Sequence, residues 1–197
     1  DLFVKEVHPK LCELFKGLKI QDGILNIQFF VEDNVFYAYD PGFRLQGEAP
    51  HIHLEHINGF DHRKMLINYA FTGVFGNDDF AERNDYTFKG KNACTIWVLL
   101  KGGTIESIQG LEKIKSDESV VFVLERFKKG DNVKKEWLGT ERQVYARIYL
   151  VAGSIVEVNN KINHFANLLK IIDTNGNNMI LEWLKPFKKE PYGKVNL

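Results

Sequence analysis

The stretch from Asn26 to Arg44 reads N-I-Q-F-F-V-E-D-N-V-F-Y-A-Y-D-P-G-F-R. Two runs rich in β-branched and aromatic residues, Gly23 to Val31 and Val35 to Tyr39, flank the polar residues 32–34, Glu-Asp-Asn. Strand-forming residues on both sides of turn-forming residues are typical of a β-hairpin. The sequence therefore predicts two antiparallel strands at this point.

Two polar residues of this stretch, Gln28 and Asp40, fall on adjacent predicted strands. A Gln inside the apolar run I-Q-F-F-V must point either to solvent or to a polar group that the sheet holds. We expect Gln28 and Asp40 to share one face of the hairpin. The alternative interpretation of residues 40–42, Asp-Pro-Gly, is an ordinary turn, since Pro fixes φ and Gly accepts a positive φ.

The hairpin resembles the metal-bearing hairpin of the ATP-grasp enzymes, the superfamily of the carbamoyl-phosphate synthase large chain, biotin carboxylase and many carboxylate-amine ligases. In those families the first strand carries an acidic residue or Gln, and the second ends in E-x-N-x-R. The resemblance implies that Gln28 and Asp40 bind magnesium against the phosphates of ATP. It also implies that Arg44 faces the acyl phosphate as a catalytic residue and that Phe30 packs on adenine.

Gly42 stands where the family has the Asn ligand, and it has no side chain with which to bind a metal. Magnesium prefers octahedral oxygen ligands but usually keeps several waters and uses phosphate oxygens. A water could therefore take the place of the Asn. A subgroup of ATP-grasp proteins is similar in reading roughly E-x-G-x-R-L-x-G, so the departure is compatible with a branch of the family as well as with a lost site.

Two further motifs follow the hairpin. Residues 44–48 read R-L-Q-G-E, similar to the R-x-Q-x-E with which biotin carboxylase handles bicarbonate and its proton, and this resemblance implies Glu48 as a catalytic base. The alternative is a simple loop carboxylate. His51, His53 and His56 lie close together in sequence, but their spacing matches no zinc pattern, so solvated or substrate-facing histidines are favoured over a transition-metal cluster.

Composition excludes several classes of function. The 197 residues include 26 basic and 26 acidic ones, without a run of five like charges, which argues against a nucleic-acid or anionic-membrane partner. The sequence has neither an apolar stretch of the ~20 residues that span a bilayer nor a signal-peptide pattern. Cys12 and Cys94 are far apart and form no C-x-x-C motif, which fits a reducing cytoplasm.

Hydrophobic periodicity predicts the elements of the first half. Apolar residues recur at helical spacing between Val4 and Leu18, with Pro9 as a possible first-turn residue. The segment from Pro50 to Ile57 is ambiguous. Asp61 is the expected N-cap of a helix that runs to about Thr72 and ends at Gly73, with Met65, Leu66, Tyr69 and Ala70 facing inward.

The second half follows a polar, aperiodic segment, residues 77–92, that is the expected linker. Beyond it, strands are predicted for Cys94 to Leu100, Val120 to Phe127, Val144 to Val151 and Met179 to Trp183. Ser154 and Glu157 form a capping box ahead of a helical stripe that reaches Ile172. The order of these elements is similar to the closing domain of ATP-grasp amino-acid ligases and biotin carboxylase.

The fold class that follows is α+β. Residues 1–76 are expected to form the C-terminal part of an ATP-grasp catalytic lobe, an antiparallel sheet with packed helices, and residues 93–197 a β-rich closing domain. The family's phosphate-binding lysines and glycine-rich lid are not found, so we expect the C-terminal part of a longer chain that is inactive alone.

The intact protein is expected to be an ATP-grasp ligase, similar to carbamoyl-phosphate synthase, that uses ATP and Mg²⁺. It would activate a small carboxylate or bicarbonate for attack by an amine or ammonia, with the rest of the ATP-grasp chain as partner and a homodimer as a possibility. The alternative is a non-catalytic binding or dimerisation module derived from the same fold.

Overall fold

A computed structural model of the chain describes residues 2–76, 79–85 and 87–187. It contains two compact units, which meet in sequence at Asn84 and Asp85. The described residues form antiparallel sheets with packed helices, so the expected α+β class is confirmed. In the first unit the elements are α1 (Leu2–Glu6), α2 (His8–Gly17), β1 (Asn26–Glu32), β2 (Val35–Gly42), α3 (His51–Asn58), α4 (His62–Thr72) and α5 (Phe80–Arg83).

The predicted hairpin is present as β1 and β2, which pair antiparallel. Asp33 and Asn34 form the two-residue turn, and both have positive φ, 47° and 65°. This is the conformation of a type I′ turn, whose twist matches that of the strands it joins, and Asp and Asn tolerate it better than most residues. The turn residues of the sequence thus account for the start of the hairpin register.

One face of the hairpin packs on α1 through three aromatic rings. The Phe3 ring meets Phe29 and Phe36 edge to face, with centroids 5.6 and 5.7 Å apart, and Phe29 lies 6.2 Å from Phe36 in the same manner. Aromatic pairs of this geometry stabilise by about 0.5–1.5 kcal/mol beyond the area they bury. The packing leaves the opposite face of the hairpin exposed.

The helices around the hairpin agree with the sequence in part. The N-terminal stripe is split at Val7 into two helices, and Pro9 lies in the first turn of the second, where its missing N–H costs nothing. The ambiguous segment after the hairpin is helical, as α3. Asp61 caps α4 by accepting a hydrogen bond from the Arg63 backbone N–H at 2.8 Å, and Gly73 ends it at φ 73°, as predicted.

The predicted inward face of α4 is only partly correct. Met65 is buried, whereas Tyr69 and Ala70 are exposed. Helical spacing identified the stripe, but the first unit places few neighbours over it beyond Met65.

The second unit contains two three-stranded antiparallel sheets, with strand orders β3-β7-β5 and β6-β4-β8. The central strand β7 is the most buried, and α7 contributes Val158, Ile162 and Phe165 to the core. The elements are β3 (Asn92–Leu99), β4 (Gly103–Gln109), α6 (Leu111–Lys115), β5 (Val120–Glu125), β6 (Asn132–Val133), β7 (Val144–Ala152), α7 (Ile155–Leu168) and β8 (Lys170–Asp173), with 3₁₀ turns at Phe88–Gly90, Lys135–Trp137 and Glu141–Gln143.

Three predicted strands of the second half are confirmed as β3, β5 and β7. The predicted strand from Met179 to Trp183 is wrong, because this segment makes only an isolated bridge between Ile180 and Leu100. The predicted C-terminal end of the last helix, Ile172, is also wrong. Helix α7 ends at Leu168, and Ile172 belongs to β8, which pairs with β4. A short apolar run has no period of its own, so partner strands decided its conformation.

The polar segment 77–92, predicted as a linker, contains the boundary between the two units and also two short helical stretches, α5 and the 3₁₀ turn Phe88–Gly90. The proposed domain limits 1–76 and 93–197 stay a prediction. Within the part of the chain that the structure describes, no helix is long and apolar enough to cross a membrane.

Gly110 provides a test of the second unit's packing. It has φ 85°, and a Cβ there would lie 2.1 Å from the carbonyl oxygen of Leu168. Gly130 has φ 90° with nothing within 4 Å of an added Cβ. We expect Gly130→Ala to lower the free energy of unfolding by about 1 kcal/mol through backbone strain alone, and Gly110→Ala by more than about 3 kcal/mol because a backbone must also move.

All three Trp residues, Trp97, Trp137 and Trp183, lie in the second unit, so Trp fluorescence in urea follows this unit selectively. Equal losses of stability in the two Gly variants would contradict the close packing of α6 against the end of α7.

Candidate functional site

The hairpin register brings Gln28 and Asp40 directly opposite each other. The register shifts between Gln28 and Phe29, so that Tyr39 is an extra residue on β2. With uninterrupted pairing from the two-residue turn, Asp40 would face Ile27 and belong to the face that packs on α1. The bulge therefore moves Asp40 onto the exposed face beside Gln28, which is a known use of bulges at functional sites.

Tyr39 holds the site together through two contacts. Its hydroxyl donates a hydrogen bond to Oε1 of Gln28. Its ring stacks on Phe30, with centroids 4.4 Å apart and planes inclined by 25°. Sequence reasoning missed Tyr39, although the aromatic residues Phe36, Tyr37 and Tyr39 shortly before Asp40 were an available signal. This hydrogen bond holds the Gln28 side chain against Tyr39.

The face that carries these residues is unusually apolar for an exposed surface. The side chains of Phe30, Tyr37 and Tyr39 are 65%, 52% and 51% exposed. Contiguous exposed aromatic residues next to polar ones commonly mark a binding surface. The arrangement offers a flat aromatic platform with an amide oxygen and a carboxylate at one end.

Arg44 lies just beyond the end of β2, over Gly42. Its backbone N–H donates to the Gly42 carbonyl at 3.0 Å, and its guanidinium donates to the Leu45 carbonyl at 3.1 Å. A Cβ on Gly42 would lie 3.3 Å from Nε of Arg44. The absent side chain at position 42 thus leaves the space that the Arg44 side chain uses. Glu48 is exposed on the loop between β2 and α3.

The histidines of α3 do not point to a metal centre. His51 and His53 are buried, whereas His56 is exposed. Among the described residues, no group of three His, Cys, Asp or Glu side chains is arranged to hold a metal ion.

His51 instead lines a cavity of about 240 Å³ between the hairpin, the loop that follows it, and helices α3 and α4. The cavity includes Arg44 and is therefore continuous with the end of β2. Its polar residues are Asn26, Arg44, Gln46, His51 and His62, and its apolar residues are Ile24, Leu25, Leu45, Pro50 and Leu54.

Burial sets the protonation of the two histidines of this cavity. Burial lowers the pKa of His51 below its ordinary value of 6.5, and the nearby Arg63 guanidinium lowers it further. Burial likewise lowers the pKa of His62. Burial alone would raise the pKa of Asp61, but hydrogen bonds from Arg63 lower it on balance. Both imidazoles are therefore neutral at pH 7 and Asp61 is ionised.

Neutral buried histidines predict a pH dependence of stability. Since the folded pKa values lie below 6.5, the unfolded chain binds more protons as the pH falls through 6.5, so the first unit should lose stability between about pH 7.5 and about pH 5.5. The lowered pKa of Asp61 affects the stability only at the lower pH values at which carboxyl groups titrate. Amide hydrogen-exchange protection factors of α3 and α4 measure the loss.

His51→Gln should reduce this dependence to the part that His62 contributes, while His56→Gln, on the exposed side of the same helix, should leave it unchanged. Stability of α3 that is constant over the range, in the unmodified chain, would show that His51 and His62 titrate normally.

Comparison with solved structures shows that the chain has part of the ATP-grasp fold. An L-amino acid ligase from Bacillus licheniformis superposes with a TM-score of 0.65 at 19% identity, over 86% of this chain and 40% of its own. A phosphoribosylglycinamide synthetase from Anaerococcus prevotii superposes with a TM-score of 0.71 at 16% identity, over 88% of this chain and 43% of its own. At such identities the similarity shows the fold alone.

This chain spans less than half the length of either structure. No protein-family model and no curated protein matches the sequence. The resemblance read from the hairpin motif is thus supported at the level of the ATP-grasp fold, and its narrower carbamoyl-phosphate synthase-like form stays a prediction.

Proposed function

We propose that this chain belongs to an ATP-dependent ligase that activates a carboxylate or bicarbonate as an acyl phosphate for attack by an amine or ammonia. The observation that carries the proposal is the pairing of Gln28 with Asp40 on the exposed, aromatic face of the hairpin. Its fold, shared in part with two solved enzymes named as a ligase and a synthetase, supports the same class of reaction.

The donor set of the hairpin fits magnesium. Asp40 offers a carboxylate and Gln28 an amide oxygen, and both side chains are exposed. Mg²⁺ prefers oxygen ligands, typically one or two carboxylates together with waters and phosphate oxygens. Oε1 of Gln28 accepts from Tyr39 and retains a second lone pair for a metal. When bound, the metal would neutralise charge on the phosphates of ATP.

The other residues have roles that follow from their chemistry. The stacked rings of Phe30 and Tyr39 offer a surface on which adenine can pack. Arg44 would stabilise charge on the transferred phosphoryl group and the acyl oxygens, where a planar guanidinium matches phosphate and carboxylate geometry. Glu48 is the proposed base. Phosphoryl transfer depends mainly on such positioning and charge neutralisation.

Asp40 is the residue whose loss tests this proposal. Because Gly42 supplies no ligand, Asp40 must carry more of the metal binding than a Glu flanked by Asn would. Asp40→Ala in the full protein should lower ATP turnover at least ~100-fold, about 2.7 kcal/mol of barrier. The free energy of unfolding should change little, since the side chain is exposed. Steady-state kinetics and urea unfolding measure the two effects.

Gly42→Asn is the matched control at the same strand end. The backbone accepts a side chain there, and the flexible Arg44 side chain can yield the few tenths of an ångström that a Cβ requires. We expect turnover to be kept or mildly raised. If Asp40→Ala leaves turnover unchanged in a folded protein, the residues 40–42 are an ordinary turn and the chain is better explained as a non-catalytic binding or dimerisation module.

The isolated chain should bind ATP only weakly. The family's phosphate-binding lysines and glycine-rich lid have no counterpart in its sequence, so most of the contacts that hold ATP would come from another part of the protein. We expect calorimetry to give a dissociation constant weaker than ~10 μM, about −7 kcal/mol. Tighter binding would show that the chain carries a complete site.

Three further parts of the proposal concern the intact protein. We propose that its reaction is similar to that of carbamoyl-phosphate synthase, that it forms a homodimer, and that it is located in the cytoplasm.

A further inference from the structure

Strand β5 forms one edge of the sheet β3-β7-β5 and pairs with no described strand on its outer side. Its first five residues, 120–124, read V-V-F-V-L and include neither a charge nor a Pro. An open edge offers unpaired backbone groups to another strand, and proteins usually protect it with charges, Pro, bulges or a covering segment. The register of β5 shifts only between Val120 and Phe122, so the rest of this edge is regular.

The hydrogen bonds to β7 show which residues of this edge face outward. The Arg126 N–H donates to the Tyr145 carbonyl oxygen at 2.8 Å, so these two residues form a hydrogen-bonded pair. Bonded and non-bonded pairs alternate along an antiparallel ladder. Even-numbered residues back to 122 therefore direct their backbone groups to β7, whereas the N–H and C=O groups of Val123 and Glu125 point away from the sheet.

The side chains of one face of this edge are exposed. Phe122 is 47% exposed and Leu124 is 38% exposed. Arg126 is exposed as well, and its guanidinium donates to the Glu141 carbonyl oxygen at 2.8 Å. Because residues two apart on a strand share a face, the edge presents an aromatic ring, an aliphatic side chain and a cation in that order.

A second copy of the same strand complements this order. With antiparallel pairing about a two-fold axis at Leu124, Val123 of each copy lies opposite Glu125 of the other. Every outward N–H group of these two residues then meets a carbonyl oxygen. The two Leu124 side chains meet at the axis, and each Phe122 ring lies opposite an Arg126 guanidinium, which is a favourable cation–π pair.

Neighbouring registers are less favourable. An axis at Glu125 would place two carboxylates opposite each other, and an axis at Arg126 would do the same with two guanidinium groups. Like charges directly opposite on paired strands are destabilising. An axis at Val123 would pair Glu125 with Val121, where the register shift interrupts the regular edge.

We propose that two copies of this chain associate through their β5 edges, paired antiparallel about a two-fold axis at Leu124. The contact joins two three-stranded sheets into one sheet of six strands, and both copies contribute the same residues to it. This inference names the contact surface of a homodimer and in that respect rests on the proposed function, but the contact does not require the ligase reaction.

Sedimentation velocity of the 197-residue chain measures the association. We expect a dimer at about 100 μM protein. Leu124→Lys places two like charges at the axis and should raise the dissociation constant of the dimer at least about tenfold. Val156→Lys introduces the same charge at an exposed apolar position of α7 and is the matched control, with no expected change.

A cysteine at the axis tests the register. In a non-hydrogen-bonded pair the facing Cα atoms are about 4.5 Å apart, which is within the range of a disulfide. Leu124→Cys should therefore form a disulfide-linked dimer under mild oxidation, as seen by electrophoresis without reductant. Val156→Cys should not, nor should the unmodified chain, whose own thiols are Cys12 and Cys94.

Amide hydrogen exchange reports on the backbone groups of the edge. Exchange at Val123 and Glu125 should be at least about tenfold slower in concentrated than in dilute protein, because only the second copy protects these N–H groups. Exchange at Leu124, whose N–H faces β7, should not depend on concentration. The concentration dependence should be lost in Leu124→Lys.

Two outcomes would overturn the inference. The first is a chain that stays monomeric up to about 500 μM, and a homodimer of the intact protein would then use another surface. The second is a dimer that persists in Leu124→Lys or gives no cross-link in Leu124→Cys. If Leu124→Lys fails to fold, the cross-link decides. Neither outcome affects the ligase, which the Asp40→Ala turnover tests separately.

Discussion

The candidate site depends on one irregularity of backbone pairing, the bulge at Tyr39. The type I′ turn fixes the first four pairs of the hairpin, and regular pairing from there would direct Asp40 toward the α1 face. One extra residue on β2 reverses this and places the carboxylate beside Gln28. The same residue supplies the hydroxyl that donates to the Gln28 amide and the ring that stacks on Phe30. The polar pair and the aromatic platform therefore share one structural cause.

One face of the hairpin packs against α1, and the other face is exposed. The rings of Phe3, Phe29 and Phe36 fix one face to α1, so that the other can remain exposed without loss of the hairpin. After the end of β2, the Arg44 side chain lies over Gly42 and forms part of the wall of the cavity that His51 also lines.

Much of this fold was readable from sequence, because local signals agree with the final structure. Turn residues predicted the hairpin, and Asp61 with Gly73 predicted both ends of α4. Strands β4 and β8 were missed because their pairing is a long-range property of short, non-periodic runs. The sequence predicted that Gln28 and Asp40 share one face of the hairpin, but neither their direct pairing nor its cause, the bulge, was predicted, since one extra residue leaves no compositional mark. The buried state of His51 depends on tertiary packing around a segment whose helical form was itself ambiguous.

We place the metal-nucleotide complex of the proposed function on the exposed face of the hairpin. Paramagnetic broadening by Mn²⁺ and ATP in the 197-residue chain measures this directly, because broadening falls off steeply with distance from the metal and weak binding suffices. We predict that broadening is strongest at Gln28 and Asp40 and that it is lost in Asp40→Ala. Uniform broadening, or broadening centred elsewhere in the chain, would contradict it.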